Sequence, residues 1–172
     1  EYGFCGEIKQ KQENFCDYPA IDLDTVSRNS LAEIMPSVSA GSCLERHEWH
    51  KHGTCQAHWS AQQYYALSAD LTRQFNDSGM AYFMNRRIGQ VVRTEDFMER
   101  LTAVLGEAAR NRIKLICKQG MLVEVQLMLA ASLTFGHDLE ALIVAAPSQQ
   151  ADSQWGSTFR VEPIKKKKKN AQ

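Results

Sequence analysis

The sequence predicts an α+β fold in which several helices pack on an antiparallel sheet and disulfides staple the chain. Three observations point there. In several stretches between about residues 22 and 105 apolar side chains recur every three or four positions, the period of a helix with one buried face. From Arg112 to Ala130 they alternate one by one, the period of paired strands. Five cysteines stand at 5, 16, 43, 55 and 117, and sequence alone leaves their connectivity open. At 172 residues the chain is one domain by length and long enough for a real core.

Residues 1–20 hold Gly3, Gly6, Pro19 and two cysteines with little periodicity, and read as a disulfide-pinned loop. Asp22 or Asp24 can cap a helix that runs to Met35, with Leu31, Ile34 and Met35 on its apolar side and Pro36 as its stop. Ser37 to Ser42 is a Ser/Gly loop leading to a dense polar stretch. Ser60 caps a long helix through about Asn76, on which Tyr64, Leu67, Leu71 and Phe75 form a core-facing stripe. His58 and Trp59 precede it on the connecting loop. His58 reads as a surface histidine, and Trp59 is a ring that could stack on a base. Asp77-Ser78-Gly79 is a turn. A short helix follows around Met80 to Ile88, whose terminal Arg86 and Arg87 complement the helix dipole. The extended piece Gly89 to Val92 leads to a helix opened by Thr94-Glu95-Asp96, with Phe97, Leu101, Val104 and Leu105 inward and Gly106 as C-cap.

Arg112 to Lys118 is then a strand with Ile113, Leu115 and Cys117 on one face. Leu122 to Ala130 is its partner, with Val123, Val125, Leu127 and Leu129 set against Glu124, Gln126 and Met128. Lys118-Gln119-Gly120 joins the two as a hairpin or meander pair. Gly136-His137-Asp138 looks like a turn, and Leu139 to Ala145 is compatible with helix or strand. Pro147 to Ser153 is a polar loop, and Ser157 to Val161 is a last strand ended by Pro163. Residues 164–172 form a tail around the run Lys165 to Lys169, whose composition predicts a solvated, disordered segment.

Twenty basic and twenty acidic residues leave a formal net charge of zero. A protein that held nucleic acid through bulk charge would be more basic, so any such contact must come from local placement. No apolar run of about 18 residues exists, so no membrane-spanning helix is expected.

The densest chemistry lies in His47-Glu48-Trp49-His50-Lys51-His52-Gly53-Thr54-Cys55. Wound as a helix at about 100° per residue, His47, Glu48, Lys51, His52 and Cys55 fall within about 140° on one face, while Trp49 and His50 point elsewhere. Glu48 and His52 are i, i+4 neighbours, as are His47 and Lys51. Gly53 can end the helix as a left-handed cap. Such a face suits a reaction at phosphorus. A neutral imidazole can take a proton from a sugar hydroxyl, and a lysine with a second histidine can hold the non-bridging oxygens and stabilise the added charge. Metal is the rival reading. The zincin pattern H-E-x-x-H fails because Lys51 stands where the second His belongs. A zinc module built from His47, His52 and a cysteine would set the Lys51 charge beside the cation. The remaining reading is an exposed His-rich helix without a role.

H-E-W-x-K-H-G-T-C resembles the second active-site segment of the ribonuclease T2 family at all of its specified positions. The flank Ser42-Cys43-Leu44-Glu45-Arg46 is similar to the bacterial, periplasmic ribonuclease I branch of that family. Weaker similarity runs from about Phe4 to Val161. The resemblance implies a ribonuclease T2-like domain over residues 1–163, with the strands in a central antiparallel sheet beneath the active-site helix. It implies a metal-independent endoribonuclease without cofactor, monomeric, periplasmic or secreted, that cleaves single-stranded RNA through a 2′,3′-cyclic phosphate with low base specificity. His52 is then the general base on the 2′-hydroxyl. Glu48 and Lys51 flank the phosphate and stabilise its transition state, His47 is the phosphate-binding imidazole, and Trp49 is a further substrate contact.

The resemblance also pairs Cys16 with Cys55 and Cys5 with Cys43, which implies an oxidising compartment. Cys117 is left as a free, buried strand thiol, because Trp155 stands where relatives carry a cysteine. One departure matters. The family's first segment, H-G-L-W-P, supplies the second catalytic His upstream of a cysteine like Cys5, and the chain begins at Glu1 without it. An N-terminally incomplete domain is therefore expected. His58 and His137 lie outside the motif, and neither sits in a matching context. The alternative is a secreted RNA-binding protein of the same fold, catalytically incomplete.

Overall fold

The computed structural model describes residues 3–130, 138–148 and 156–163. The chain forms two compact units, residues 1–73 and 74–172. The first runs through a 3-10 turn at Phe15–Asp17, helices α1 (Thr25–Ile34), α2 (Pro36–Ser39) and α3 (Leu44–Lys51), and most of α4 (Ala61–Phe75). Asp24, not Asp22, caps α1: its carboxylate accepts the Ser27 N–H at 2.7 Å, satisfying one of the helix's orphan donors. Pro36 does more than stop that helix. It opens α2 at the first helical position, where a missing N–H costs nothing, so the expected loop after Met35 begins with a helical turn. Ser60 starts α4 with a reciprocal cap. Its Oγ accepts from Gln63 N at 3.3 Å, and Gln63 Oε1 accepts from Ser60 N at 3.0 Å. Ile21, Leu23, Leu31 and Tyr65 form the centre of this unit, with Ile34, Met35, Trp49 and Tyr64 packed around them. Tyr65, which the predicted stripe left out, is fully buried, and its hydroxyl donates to the Glu45 carbonyl.

The four N-terminal cysteines are bridged, but with partners exchanged relative to the family-based expectation. Cys5 bonds Cys55 and Cys16 bonds Cys43. Neighbouring backbone contacts explain the exchange. Phe4 N donates to Lys51 O at 2.7 Å and Gly6 N donates to Thr54 Oγ1 at 3.1 Å, which lays Cys5 along the end of the motif. Arg46 donates to the Cys16 carbonyl at 3.1 Å, which holds the Phe15–Asp17 turn against the start of α3, beside Cys43.

In the second unit, the turn at Asn76–Met80 leads to α5 (Ala81–Asn85), β1 (Val91–Arg93), α6 (Thr94–Leu105), a 3-10 turn at Glu107–Asn111, β2 (Ile113–Lys118), β3 (Met121–Leu127), α7 (Leu139–Ala145) and β4 (Thr158–Arg160). The sheet order is β1-β4-β3-β2. The pairs β1–β4 and β2–β3 are antiparallel, whereas β4 meets β3 in parallel at Met121 and Arg160, so the sheet is not wholly antiparallel. Gln119 and Gly120 both take left-handed φ, 51° and 76°, which suits a two-residue hairpin turn to the twist of its strands. Leu139 to Ala145 is helix: Asp138 caps it by accepting the Ala141 N–H at 3.1 Å, and Leu142 and Ile143 are buried.

Cys117 departs from expectation. Ile113 and Leu115 keep their inward face, but Ile116 pairs with Glu124 and Cys117 with Leu122. Val123 is left as a bulged residue, half exposed, and the alternation slips at the hairpin end. Cys117 is therefore exposed, not buried. Phe97 sits in the core with Phe83 and Phe159 edge-on at 6.3 and 5.8 Å. Such aromatic pairs add about 0.5–1.5 kcal/mol beyond the area they bury. Arg87 lies over the Phe83 ring and donates to the Phe83 carbonyl at 3.0 Å, serving the last turn of α5. The predicted turn residues Gly136 and His137, Trp155 and the Lys165 to Lys169 run lie outside the described residues.

Candidate active site

α3 carries the motif. It starts after Cys43, which takes a left-handed φ of 54°, and ends at Lys51 with His52 as its C-cap. Gly53 was expected as a left-handed cap. Its φ is not positive; it opens the 3-10 turn Gly53–Cys55 instead. The glycine is needed because any Cβ there would overlap the Trp49 indole. Trp49 itself packs against the core of the first unit and edge-on to Tyr64 at 5.6 Å. The sequence reading set it among the substrate contacts; here its ring packs against that core and stays partly exposed.

Glu48 and His52 lie side by side, as their i, i+4 spacing implies. Glu48 Oε2 lies 3.8 Å from His52 Nε2, with both side chains partly exposed. The aliphatic stem of Lys51 runs along Gly3, while the Lys51 carbonyl accepts Phe4 N–H. An open cavity of about 290 Å³ adjoins this face, with Glu48 on its wall beside Leu31, Ile34, Leu44 and Tyr64.

His47 shares the predicted angle but not the exposure. Only 7% of it is accessible. Its ring stacks on Phe15 at 4.5 Å and meets Phe4 edge-on, and its Nδ1 lies 3.0 Å from the Tyr18 hydroxyl oxygen. Burial holds its pKa below the usual imidazole value. The charges of Lys51, Lys11 and His52 act in the same direction, and Glu48 opposes them. His50 also meets Tyr18, stacked at 5.6 Å, and its Nε2–H donates to the Pro19 carbonyl at 3.1 Å.

Three residues that hold this arrangement were missed from sequence. Tyr18 contacts the rings of both His47 and His50. Thr54 Oγ1 donates to the His50 carbonyl at 2.9 Å and accepts from Gly6. Gln56 clamps the following turn, donating to the Gly53 and Trp59 carbonyls and accepting from His58 and Trp59 N–H, all at 2.7–2.9 Å. Gln56 and Tyr18 carry no periodic or motif signal that would single them out. His58 is exposed on that turn.

The zinc module loses four of its five possible sulfur donors, because Cys5, Cys16, Cys43 and Cys55 are all in disulfides and offer no thiolate. Among the described residues no three His, Cys, Asp or Glu side chains converge as a ligand set. No helix among them is long and apolar enough to cross a membrane.

Comparison with known proteins agrees with the motif. The sequence model of the ribonuclease T2 family matches residues 3–140. The chain is 27% identical over 123 residues to Ribonuclease I of Escherichia coli (strain K12), which covers 70% of this chain and 46% of that protein. The chain thus spans about half the length of this relative. With the family model covering most of its length, this chain belongs to the ribonuclease T2 family.

Proposed function

We propose that the chain acts on single-stranded RNA as a metal-independent endoribonuclease that works by transphosphorylation. The observation that carries this reading is the partly exposed trio at the end of α3, with Glu48 and His52 3.8 Å apart and Lys51 beside them in sequence. In this reading His52 takes the proton of the 2′-hydroxyl. The 2′-oxygen attacks phosphorus, the 5′-oxygen leaves with a proton from a general acid, and the product end is a 2′,3′-cyclic phosphate. Lys51 offsets the charge on the non-bridging oxygens. Glu48 orients the imidazole and stabilises the imidazolium that forms. His47 contributes from beneath, as a neutral donor to the phosphate. DNA lacks the internal nucleophile and is not cleaved. Trp49, packed against the core but partly exposed, is a further substrate contact in this reading, and base specificity is low.

The relative's name, Ribonuclease I, supports RNA as the substrate. Two disulfides support a periplasmic or secreted location. We assign residues 1–163 to one ribonuclease T2-like domain that acts as a monomer, with 164–172 as its tail.

The second reading is an RNA-binding protein of this fold without catalysis. It is favoured by one observation: among the described histidines, His52 alone lies on the open face. His47 and His50 are engaged by Tyr18 and Pro19, and His58 sits on the Gln56 turn. The deciding experiment mixes the 172-residue chain with a dinucleotide RNA in excess EDTA. Cyclic phosphate product supports the enzyme. Bound but intact RNA supports the second reading, and cleavage that requires added metal overturns the mechanism.

A further inference from the structure

We propose that Tyr18 is a positioning residue, whose hydroxyl holds His47 as the Nε2–H tautomer so that the ring presents a hydrogen-bond donor to phosphate. The proposal rests on the phosphate-facing role given to His47 above. It follows from counting hydrogens around one oxygen. Tyr18 is 1% exposed, and its hydroxyl lies 2.9 Å from Gln12 N and 3.0 Å from His47 Nδ1. A backbone N–H only donates, so Gln12 takes a lone pair of the phenol oxygen. The phenol hydrogen then needs an acceptor, and leaving it unpaired in a buried position is costly. Nδ1 of His47 is the acceptor in reach. Were Nδ1 protonated, two donors would face the Tyr18 oxygen and its own hydrogen would lose this partner. Tyr18 therefore donates, Nδ1 is bare, and the ring proton of neutral His47 sits on Nε2.

The surroundings fix this arrangement in place. His47 and His50 are three residues apart on α3, and their rings flank Tyr18 at 5.5 and 5.6 Å. Phe15 covers the His47 ring at 4.5 Å. The orientation matters because phosphate oxygens only accept hydrogen bonds. The opposite tautomer would aim a lone pair at them from Nε2. With Nδ1 taken by Tyr18, Nε2 is the nitrogen left to meet a ligand.

The test is nitrogen-resolved NMR of the 15N-labelled full chain above neutral pH. Wild type should show Nδ1 of His47 as a bare nitrogen and Nε2 as a protonated one. Inorganic phosphate should move the Nε2–H resonance. Tyr18→Phe keeps the ring and its stacking and removes only the hydroxyl. It should shift Nδ1 as its hydrogen bond is lost and weaken the phosphate response about fivefold to tenfold, the scale of one neutral hydrogen bond. On a dinucleotide the same variant should lower kcat by a similar factor with KM little changed. A protonated Nδ1 in wild type overturns the proposal. So does a Tyr18→Phe spectrum in which both His47 nitrogens stay put, or a phosphate titration that moves His52 and leaves His47 unmoved. The wild-type spectrum decides the tautomer even where Tyr18→Phe fails to fold. It also decides it where the chain cleaves nothing, so loss of the enzymatic reading is separable from loss of this one.

Discussion

At the scale of single residues, His52 and His50 make the sharpest contrast. They are two positions apart, yet His52 faces outward beside Glu48 while His50 donates to the Pro19 carbonyl. His52→Ala should lower cleavage at least about 100-fold, the usual reach of a general base. His50→Ala should leave kcat nearly intact and instead cost stability, about 1 kcal/mol for its hydrogen bond. Rates and urea midpoints measured side by side check both, and equal losses of rate would sink the division of the motif into two faces. His47 adds a pH dependence. Burial lowers its pKa in the folded chain, so the unfolded chain binds the proton more readily. Its contribution to stability is thus complete above the ordinary imidazole value near 6.5 and is lost as pH falls below it. Unfolding curves across mildly acidic pH should show stability falling, with a shallower fall in His47→Gln.

At the scale of elements, the end of α3 is shaped by contact. Gly53→Ala should destabilise the first unit by about 1–3 kcal/mol, the cost of forcing a methyl into a packed ring. That loss should appear in the denaturation midpoint, and no loss would mean that the indole has room to move. The β2–β3 hairpin shows the opposite kind of control. Its turn follows from Gln119-Gly120, but the bulge at Val123 decides which way the last side chains point. Cys117 is exposed for that reason and should be the one cysteine alkylated without reductant.

At the scale of the whole molecule, two bridges and a balanced charge set the behaviour. In the chain-entropy model, loops of 50 and 27 residues stabilise by about 4 and about 3.5 kcal/mol. Non-reducing peptide maps should contain Cys5–Cys55 and Cys16–Cys43, and a Cys16–Cys55 peptide would restore the pairing expected from the family. With zero formal charge, RNA should be held by a few local cations around Lys51 and Lys11. Neutralising about three phosphates predicts a log–log salt slope near −2, and a slope several times steeper would point to a broad basic surface elsewhere.

What the amino-acid sequence determined by itself is local. Ser60 opening α4, Gly106 after α6 and the Gln119-Gly120 turn act within four residues, where covalent geometry leaves few alternatives. The pairing of Glu48 with His52 is of the same kind, since one helical turn brings them together. Tertiary structure alone decided the rest. Cys5 meets Cys55 because Phe4 bonds Lys51 across the chain, and His47 is largely buried because Phe15 stacks on its ring and Tyr18 meets its Nδ1. Trp49 turns inward because Gly53 leaves room for its ring. Each of these depends on which distant segment arrives beside the motif, and helical periodicity carries no information about that arrival.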